Sequence, residues 1–508
     1  MGSDHDEAPP PWSRPWARLY HESGIKSVSQ TGLDAVLVIL ARTCRMFAFG
    51  AASLIMALFF AELDFTDVQI GLFMTLTLVG DVALSFVMSL MADGLGRRRV
   101  LLAGGCLMAM SGVVFALFEN FWILLLAAVI GVISASGGDF GPFRAIEEST
   151  LSHLTNPKTR SDVLSWYVTV SSLGSAAGTE LSGRIVETLR NLDGWDILSA
   201  YHALFWVYVI MGLLNVVLAA SMSSRCELND TQTQDEHEAT GESAQGLLDS
   251  SQDGDDDDED ETRPAPKQQQ QSSSTKTKKS RFSQISAATR SVMYRLWFLL
   301  TVDSLADGMV SYTLTNYYLD RKFHLSKSRL GDIMSICYIL GAISTVFAGP
   351  LARHLGLVNT MVFTHVPSSL AVLLFPAPQG LVLTIVLLFV RTGLNNMDQA
   401  PRTAFIAAVV RPEERTAVMG ITSTLRTMAS TIGPTLTGAL AQSDKFWVAF
   451  VIGGTLRLAY DFGLWAMFIN MKLYEHEEGG GDQVRSSRRD SEESLEMQPV
   501  RAPSGQAQ

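Results

Sequence analysis

Asp303 and Asp307 stand four residues apart inside one apolar run, and Arg42 and Arg45 stand inside another. A four-residue step puts both carboxylates on one face of a helix. An ionisable side chain near the middle of a membrane span costs about 2.5–3.5 kcal/mol on insertion scales, so each needs a partner or a cavity. Three kinds of chemistry fit. An ion pair between the arginines and the aspartates can break as two bundles rock. The carboxylates can take up and release protons, because desolvation favours a neutral acid and a nearby guanidinium favours an ionised one. A static buried pair can simply fix packing.

Further candidates sit near the ends of other apolar runs. Arg144, Glu147 and Glu148 close one, and Asp398 and Arg402 close another. Asp81 falls near the middle of a third, and Arg391 and Arg426 lie within two more. Arg457 and Asp461 are spaced to pair with each other on one helix. Pro142 and Pro401 are expected to kink their helices, because proline removes a helix hydrogen bond.

The elements that must position these residues are long apolar runs. A bilayer core about 30 Å thick needs about 20 mostly apolar residues per helix. Candidate spans fall near 33–60, 68–92, 99–118, 121–144, 162–187 and 199–221, then near 292–318, 329–352, 357–376, 380–406, 416–441 and 446–471. The periods are helical and the runs too long for barrel strands. The expected fold is an all-α membrane protein of twelve transmembrane helices, in two six-helix pseudo-symmetric bundles around a central cavity.

The two halves repeat each other. At an offset of about 260, Thr66–Gly96 aligns with Ser326–Gly356, sharing Gly71/Gly331, Met74/Met334, Ala92/Ala352, Leu95/Leu355 and Gly96/Gly356. The run D-F-G-P-F-R-A from Asp139 matches D-Q-A-P-R-T-A from Asp398, and Pro157-x-x-Arg160 matches Pro412-x-x-Arg415. Gly178, Leu181 and Gly183 match Gly433, Leu436 and Gly438. Asp303 then aligns with Thr43 and Asp307 with Phe47, so the aspartates and the arginines lie at similar depths on related helices. Repeats of this kind build transporters with a substrate site at the repeat interface. Gly174, Gly178, Gly183, Gly433 and Gly438 read as close helix packing rather than substrate contacts.

The net charge of −12 is unevenly spread, because residues 226–266 alone carry roughly −14. Such an acidic run with few aromatics is expected to be solvated and disordered, and a Gln/Ser-rich basic stretch follows it. The expected organisation is a cytoplasmic segment 1–32, a bundle 33–222, a disordered cytoplasmic loop 223–290, a bundle 291–472 and a disordered cytoplasmic tail 473–508. Basic residues favour the cytoplasmic side. That rule puts Arg14, Arg18, Lys26, Arg97, Arg98, Arg99, Lys158, Arg160, Arg411 and Arg415 inside, and the acidic turn Glu62, Asp64, Asp67 outside. Arg321, Lys322, Lys327 and Arg329 disagree, since they would face outward. The four cysteines have no disulfide or metal spacing.

The connection after the second span reads S-L-M-A-D-G-L-G-R-R-R. It resembles the signature loop of the major facilitator superfamily, G-x-x-x-D-[RK]-x-G-[RK]-[RK]. Asp93, Gly96, Arg97 and Arg98 fit it; Ser89 stands for its glycine and Gly94 for its base. The second half keeps Gly349 and Gly356, with Arg353 in place of the acid. The resemblance implies that Asp93 clasps the start of span eleven, around Arg415 and Thr416, and holds the cytoplasmic side shut in one of two states. The gate would thus comprise Asp93, Gly96, Arg97, Arg98 and Arg415. The blocks Gly141–Glu147 and Met397–Arg402 resemble a bacterial and fungal branch described only as transporters.

The resulting expectation is a secondary transporter of a small organic solute working by alternating access, proton-coupled and leaning to efflux. A facilitative uniporter and a substrate-sensing receptor on the same scaffold are the alternatives. No H-E-x-x-H or G-x-S-x-G motif supports an intramembrane enzyme. No cofactor, metal or nucleic-acid partner is expected. The expected partners are the substrate, protons and the lipid bilayer, with the chain acting as a monomer in the plasma membrane or a vacuolar or other organelle membrane.

Overall fold

A computed structural model describes residues 25–131, 133, 142–156, 159–227, 287–410 and 414–468. Most of the expected acidic loop, the C-terminal tail and the first residues of the chain lie outside these, as do Lys158 and Arg411. All regular structure among the described residues is helical. A short helix α1 (Ile25–Thr31) precedes α2 (Leu33–Glu62), α3 (Asp67–Leu95), α4 (Arg97–Leu117), α5 (Phe121–Ile130), α6 (Pro142–Leu154), α7 (Arg160–Arg190) and α8 (Ile197–Ser221). The second half holds α9 (Ala287–Met309), α10 (Tyr312–Phe323), α11 (Lys327–Leu355), α12 (Leu357–Leu374), α13 (Leu381–Asn395), α14 (Gln399–Val409), α15 (Arg415–Gln442) and α16 (Phe446–Phe468). Among the described residues, seven helical segments are long and apolar enough to cross a membrane.

Twelve spans follow when α9 is joined with α10 as span seven and α13 with α14 as span ten, and when α5 and α6, on either side of residues outside those described, are counted as span four. Spans seven and ten, expected near 292–318 and 380–406, are each interrupted within those bounds. Ser311 ends span seven's first half by accepting from Leu314 N at 3.5 Å, starting α10 afresh. The Val310 carbonyl freed by this break accepts from the Arg391 guanidinium, which also donates to Thr315 Oγ1 at 3.0 Å. A break at membrane depth is tolerated where protein groups satisfy the freed backbone. Asn396–Asp398 form a 3-10 turn inside span ten. Pro142 opens α6 and Pro401 lies in the first turn of α14, where a missing N–H is harmless.

Polar caps set several starts. Asn120 accepts from Trp122 N at 3.0 Å, Asp196 from Ser199 N at 3.3 Å, and Ser326 from Arg329 N at 3.4 Å. The repeat is visible in the backbone: Gly96 and Gly356 turn at φ +90° and +83°, a region that disfavours any β-carbon.

In the first bundle α2 packs on α7 and α8, and α4 on α8; in the second, α9 packs on α15 and α16, and α12 on α16. The bundles meet where α7 packs on α11 and α3 on α15, with α10 reaching α2. At one end they share an apolar core that includes Phe59, Phe73 and Tyr201 from one half and Tyr318, Phe375 and Phe450 from the other. At the signature-loop end the cores are separate. One holds Val38, Val100, Phe143 and Tyr167; the other holds Trp297, Phe405, Tyr460 and Leu464.

Polar contacts reinforce the shared end. Arg321 of α10 bridges Asp67 at 2.8 Å and Asp444 at 3.1 Å, and Tyr317 donates to Asp67 at 2.7 Å. Arg184 of α7 pairs with Asp332 of α11 at 2.9 Å. Thr435 donates to Thr75 at 2.7 Å, and Thr75 to the Thr431 carbonyl at 2.6 Å. Lys322 donates to the Pro376 and Pro378 carbonyls, and Lys327 pairs with Asp320. Three of the four bases that broke the topology rule are thus neutralised or bonded where they stand.

Candidate functional site

Each bundle holds a buried charge cluster, and the two have opposite sense. In the first bundle Glu147 of α6 is fully buried between the arginines of α2. Arg45 Nη1 lies 2.8 Å from its Oε1, and Arg42 Nη1 lies 3.9 Å from its Oε2. Tyr167 of α7 donates to Oε2 at 2.7 Å. The guanidinium of Arg45 stands over the Phe143 ring at 4.6 Å, and that of Arg42 over Tyr167 at 5.6 Å.

In the second bundle the acids come from α9. Asp303 is fully buried, with Arg402 and His365 each at 3.8 Å and Arg457 at 3.9 Å. Asp307 pairs with Arg457 at 3.3 Å, and its side chain is 38% exposed where Arg457 is 1%. Arg402 also pairs with Asp398 one turn before it. His365 of α12 meets Asp461 through Nδ1 at 2.6 Å, and Arg457 through Nε2 at 2.9 Å. Ser369 donates to the other Asp461 oxygen at 2.8 Å, and Arg457 also donates to Asn395 Oδ1. Arg426 of α15 donates to Ser304 at 3.1 Å.

Of the three readings of these charges, the ion pair across the cavity is not the one formed in this structure. Arg42 and Arg45 pair with Glu147 in their own bundle, and Asp303 and Asp307 pair within theirs. The physical reason is that Glu147 of α6 reaches both arginines inside their own bundle, whereas the second bundle has Ile406 at the matching position and takes its bases from Arg402 and Arg457. Each bundle thus compensates its own buried charge. The expected Arg457–Asp461 pair is also redirected: Arg457 reaches α9, α12 and α13, while Asp461 reaches α12.

The other candidates spread out. Asp81 of α3 is buried, and its Oδ1 has no hydrogen-bond partner among the described residues. Arg144 pairs with Glu148 at 2.6 Å, a local contact one turn apart on α6. Of the gate set, Arg97 donates to Ser149 Oγ at 2.7 Å, and Arg98 to the Ala219 carbonyl at 3.2 Å and to that of Ala220. The Arg98 amide donates to Glu227 Oε1 at 3.3 Å, and a β-carbon on Gly96 would lie 2.6 Å from Glu227 Oε2. These arginines tie the signature loop to α6 and α8 of their own bundle. The side chains of Asp93 and Arg415 lie outside the described residues, so the clasp stays an expectation. His365 is the member sequence reading missed; its signal was a lone histidine inside an apolar span. Among the described residues no group of three or more His, Cys, Asp or Glu is arranged to hold a metal.

Two bundles related by a repeat, closed at one end and separately cored at the other, with a charge cluster buried in each, are a transporter architecture. The sequence profile of the Major Facilitator Superfamily matches residues 38–280 and 296–497. The chain belongs to the major facilitator superfamily. It is a multi-pass membrane transporter that works by alternating access on a small-molecule substrate, and the family sets aside the enzyme reading. It is 32% identical over 430 residues to an uncharacterized membrane protein of Saccharomyces cerevisiae, covering 84% of this chain and 92% of that protein. The fold resembles the xylose transporter XylE from E. coli in an inward-open conformation, with a TM-score of 0.61 and 12% identity over 87% of this chain and 98% of that one. It also resembles the nucleoside transporter NupG, with a TM-score of 0.59 and 13% identity over 87% of this chain and all of that one, 100%.

Proposed function

We propose that this superfamily member is a proton-coupled secondary transporter of a small organic solute, exporting it from the cytoplasm. The signature-loop end and both termini face the cytoplasm, so the shared core closes the outer side and the described state is inward-facing. Bundles at 33–222 and 291–472 rock about the α3–α15 and α7–α11 seams, joined by the 223–290 loop, in a monomer of the plasma membrane or an organelle membrane.

The observation that carries this reading is Asp307. It is the half-exposed carboxylate of the second cluster, and Arg457 ties it to the buried Asp303. A solute or a proton reaching Asp307 competes for Arg457 and so acts on the whole cluster. An imposed gradient supplies about 2.3 kcal/mol per charge per 100 mV of potential. The apolar faces of the spans favour a lipophilic or organic solute, hence the direction assigned.

A metabolite and toxicity screen of a deletion strain identifies the solute, and flux into proteoliposomes under a pH gradient tests the coupling. Asp307→Asn should abolish pH-driven flux and keep solute exchange, which needs no net proton movement. PH-driven flux of normal size in Asp307→Asn would reject the coupling. A solute response in cells without flux in vesicles would favour a sensor.

A further inference from the structure

Asn316 and Tyr338 leave polar atoms unpaired inside the apolar core that closes one end of the molecule. Asn316 of α10 is 1% exposed. Its amide nitrogen donates to the Ser53 carbonyl of α2 at 3.4 Å, a long contact between the bundles. Its Oδ1 has no hydrogen-bond partner among the described residues. The hydroxyl of Tyr338, on α11, stands near Ser53 as well; it is buried and completes no hydrogen bond among those residues either. Ser53 directs its own hydroxyl to the Gly50 carbonyl at 3.1 Å. The surrounding core is apolar: Leu54 and Ile55 follow Ser53, Leu314 and Leu319 flank Asn316, and Met334 and Cys337 precede Tyr338.

We infer that Asn316 and Tyr338 form a release point, a pair of unpaired polar groups set in the closed end so that this end can open again. The physical basis is a difference between two states. A buried acceptor or hydroxyl without a partner is unfavourable, whereas the same group in water is satisfied. With the shared end shut, the protein offers no partner to Asn316 Oδ1 or to the Tyr338 hydroxyl. With it open, water reaches both and also replaces the long bond to Ser53. Breaking that bond strands nothing, because the Ser53 carbonyl lies within α2, where the helix itself supplies a donor. The two groups therefore raise the closed form relative to the open one. An amide that only fixed the fit of the helices would be satisfied at both of its ends.

The apolar core acts in the opposite sense, as do the ion pairs Arg321–Asp67 and Arg184–Asp332 between the bundles. The two arginine side chains are 42% and 58% exposed, so water and salt screen those pairs. Closure then depends chiefly on the core, and the core is where Asn316 and Tyr338 weaken it. The inference rests on the alternation of two ends, and not on proton coupling or on the direction of transport.

The test is a spin-label distance across the shared end, between cysteines at positions 192 and 379. The full chain is held in nanodiscs, with its four native cysteines replaced. Tyr338→Phe removes the unpaired hydroxyl and nothing else. Asn316→Leu keeps the branched skeleton of the side chain and removes both polar atoms. Each should raise the ratio of short to long distances by about five-fold or more, and both together by more than either. Asn316→Asp keeps the shape, adds charge and should lower the ratio. If Asn316→Leu does not fold, Tyr338→Phe decides alone. Two populations whose ratio is unchanged by Tyr338→Phe and Asn316→Leu, or a shift to long distances in Tyr338→Phe, would overturn the inference and leave alternation standing. A single population in the wild type and in every variant would reject alternation and the inference with it.

Discussion

Gly71 of α3 lies so close to Gly438 of α15 that a β-carbon on Gly71 would stand 3.1 Å from the Gly438 Cα and run into the Pro434 carbonyl. The same contact recurs between α11 and α7, where a β-carbon on Gly331 would stand 3.2 Å from the Gly183 Cα. Gly71 aligns with Gly331, and Gly183 with Gly438. The repeat therefore builds two equivalent seams between the bundles, each a glycine-on-glycine backbone approach.

A leucine at Gly71 should wedge α3 from α15 and open the end that the bundles share. Asn316, which donates to the Ser53 carbonyl across that end at 3.4 Å, gives the readout. A cysteine at position 316 should react with an impermeant maleimide in intact cells when Gly71→Leu is present, and react poorly without it. Equal labelling in both would mean that the seam does not hold the end shut.

Gly183 and Gly438 were legible as packing glycines because a glycine contact leaves a mark in composition, any larger residue being excluded; that Gly71 and Gly331 are their partners across the bundles was not. Span positions were legible for the same reason, since hydrophobicity is a local property. Charge pairing was not. Arg45 and Glu147 are about a hundred positions apart in sequence, and Asp303 and Asp307 looked like their natural partners by charge and depth. Which acid an arginine reaches depends on side-chain direction and on the neighbouring helix, here α6 rather than α9. The break after Met309 also escaped notice, because Ser311 is an unremarkable residue until the Arg391 that satisfies Val310 is known.

Removing one partner of a buried pair leaves the other charge stranded, at a cost of about 3–5 kcal/mol. Glu147→Gln should therefore lower the melting temperature and membrane abundance, and adding Arg45→Ala should recover part of the loss. Arg45→Ala and Asp307→Ala share no partner, so their effects on melting should add. A mutual rescue of those two would restore the pair across the cavity.

Arg391→Met keeps the length of the side chain and removes its donors. Val310 O then keeps only the Thr315 hydroxyl at 3.3 Å, and the charge-assisted bonds lost are worth about 1.5–3 kcal/mol. The expected result is a lower melting temperature with normal insertion. Unchanged melting would show that another group satisfies the break.

Asp93→Asn keeps the shape of the signature acid and removes its charge. If that acid clasps the start of α15 when the signature end shuts, transport should fall with the protein still present in the membrane. Normal flux at normal abundance would leave the loop with the anchoring that Arg97 and Arg98 already provide.

Deleting residues 235–275 should leave abundance and basal flux near those of the intact chain, because an acidic tether contributes little packing. Loss of the folded protein would refute this, and loss of regulation alone would mark the segment as a partner site.

Alternation between two closed ends is the central claim, and paired distance measurements by spin labelling test it directly. Leu95 and Leu355 are repeat partners exposed at the signature end, and Leu192 and Gln379 are exposed at the other. Labels at each pair, in a background without the four native cysteines, report one end apiece. Two populations should appear, with the Leu95–Leu355 distance long when Leu192–Gln379 is short and the reverse, and acid or Gly71→Leu should shift their balance. A single population at both ends under every condition, or two distances that lengthen together, would contradict it.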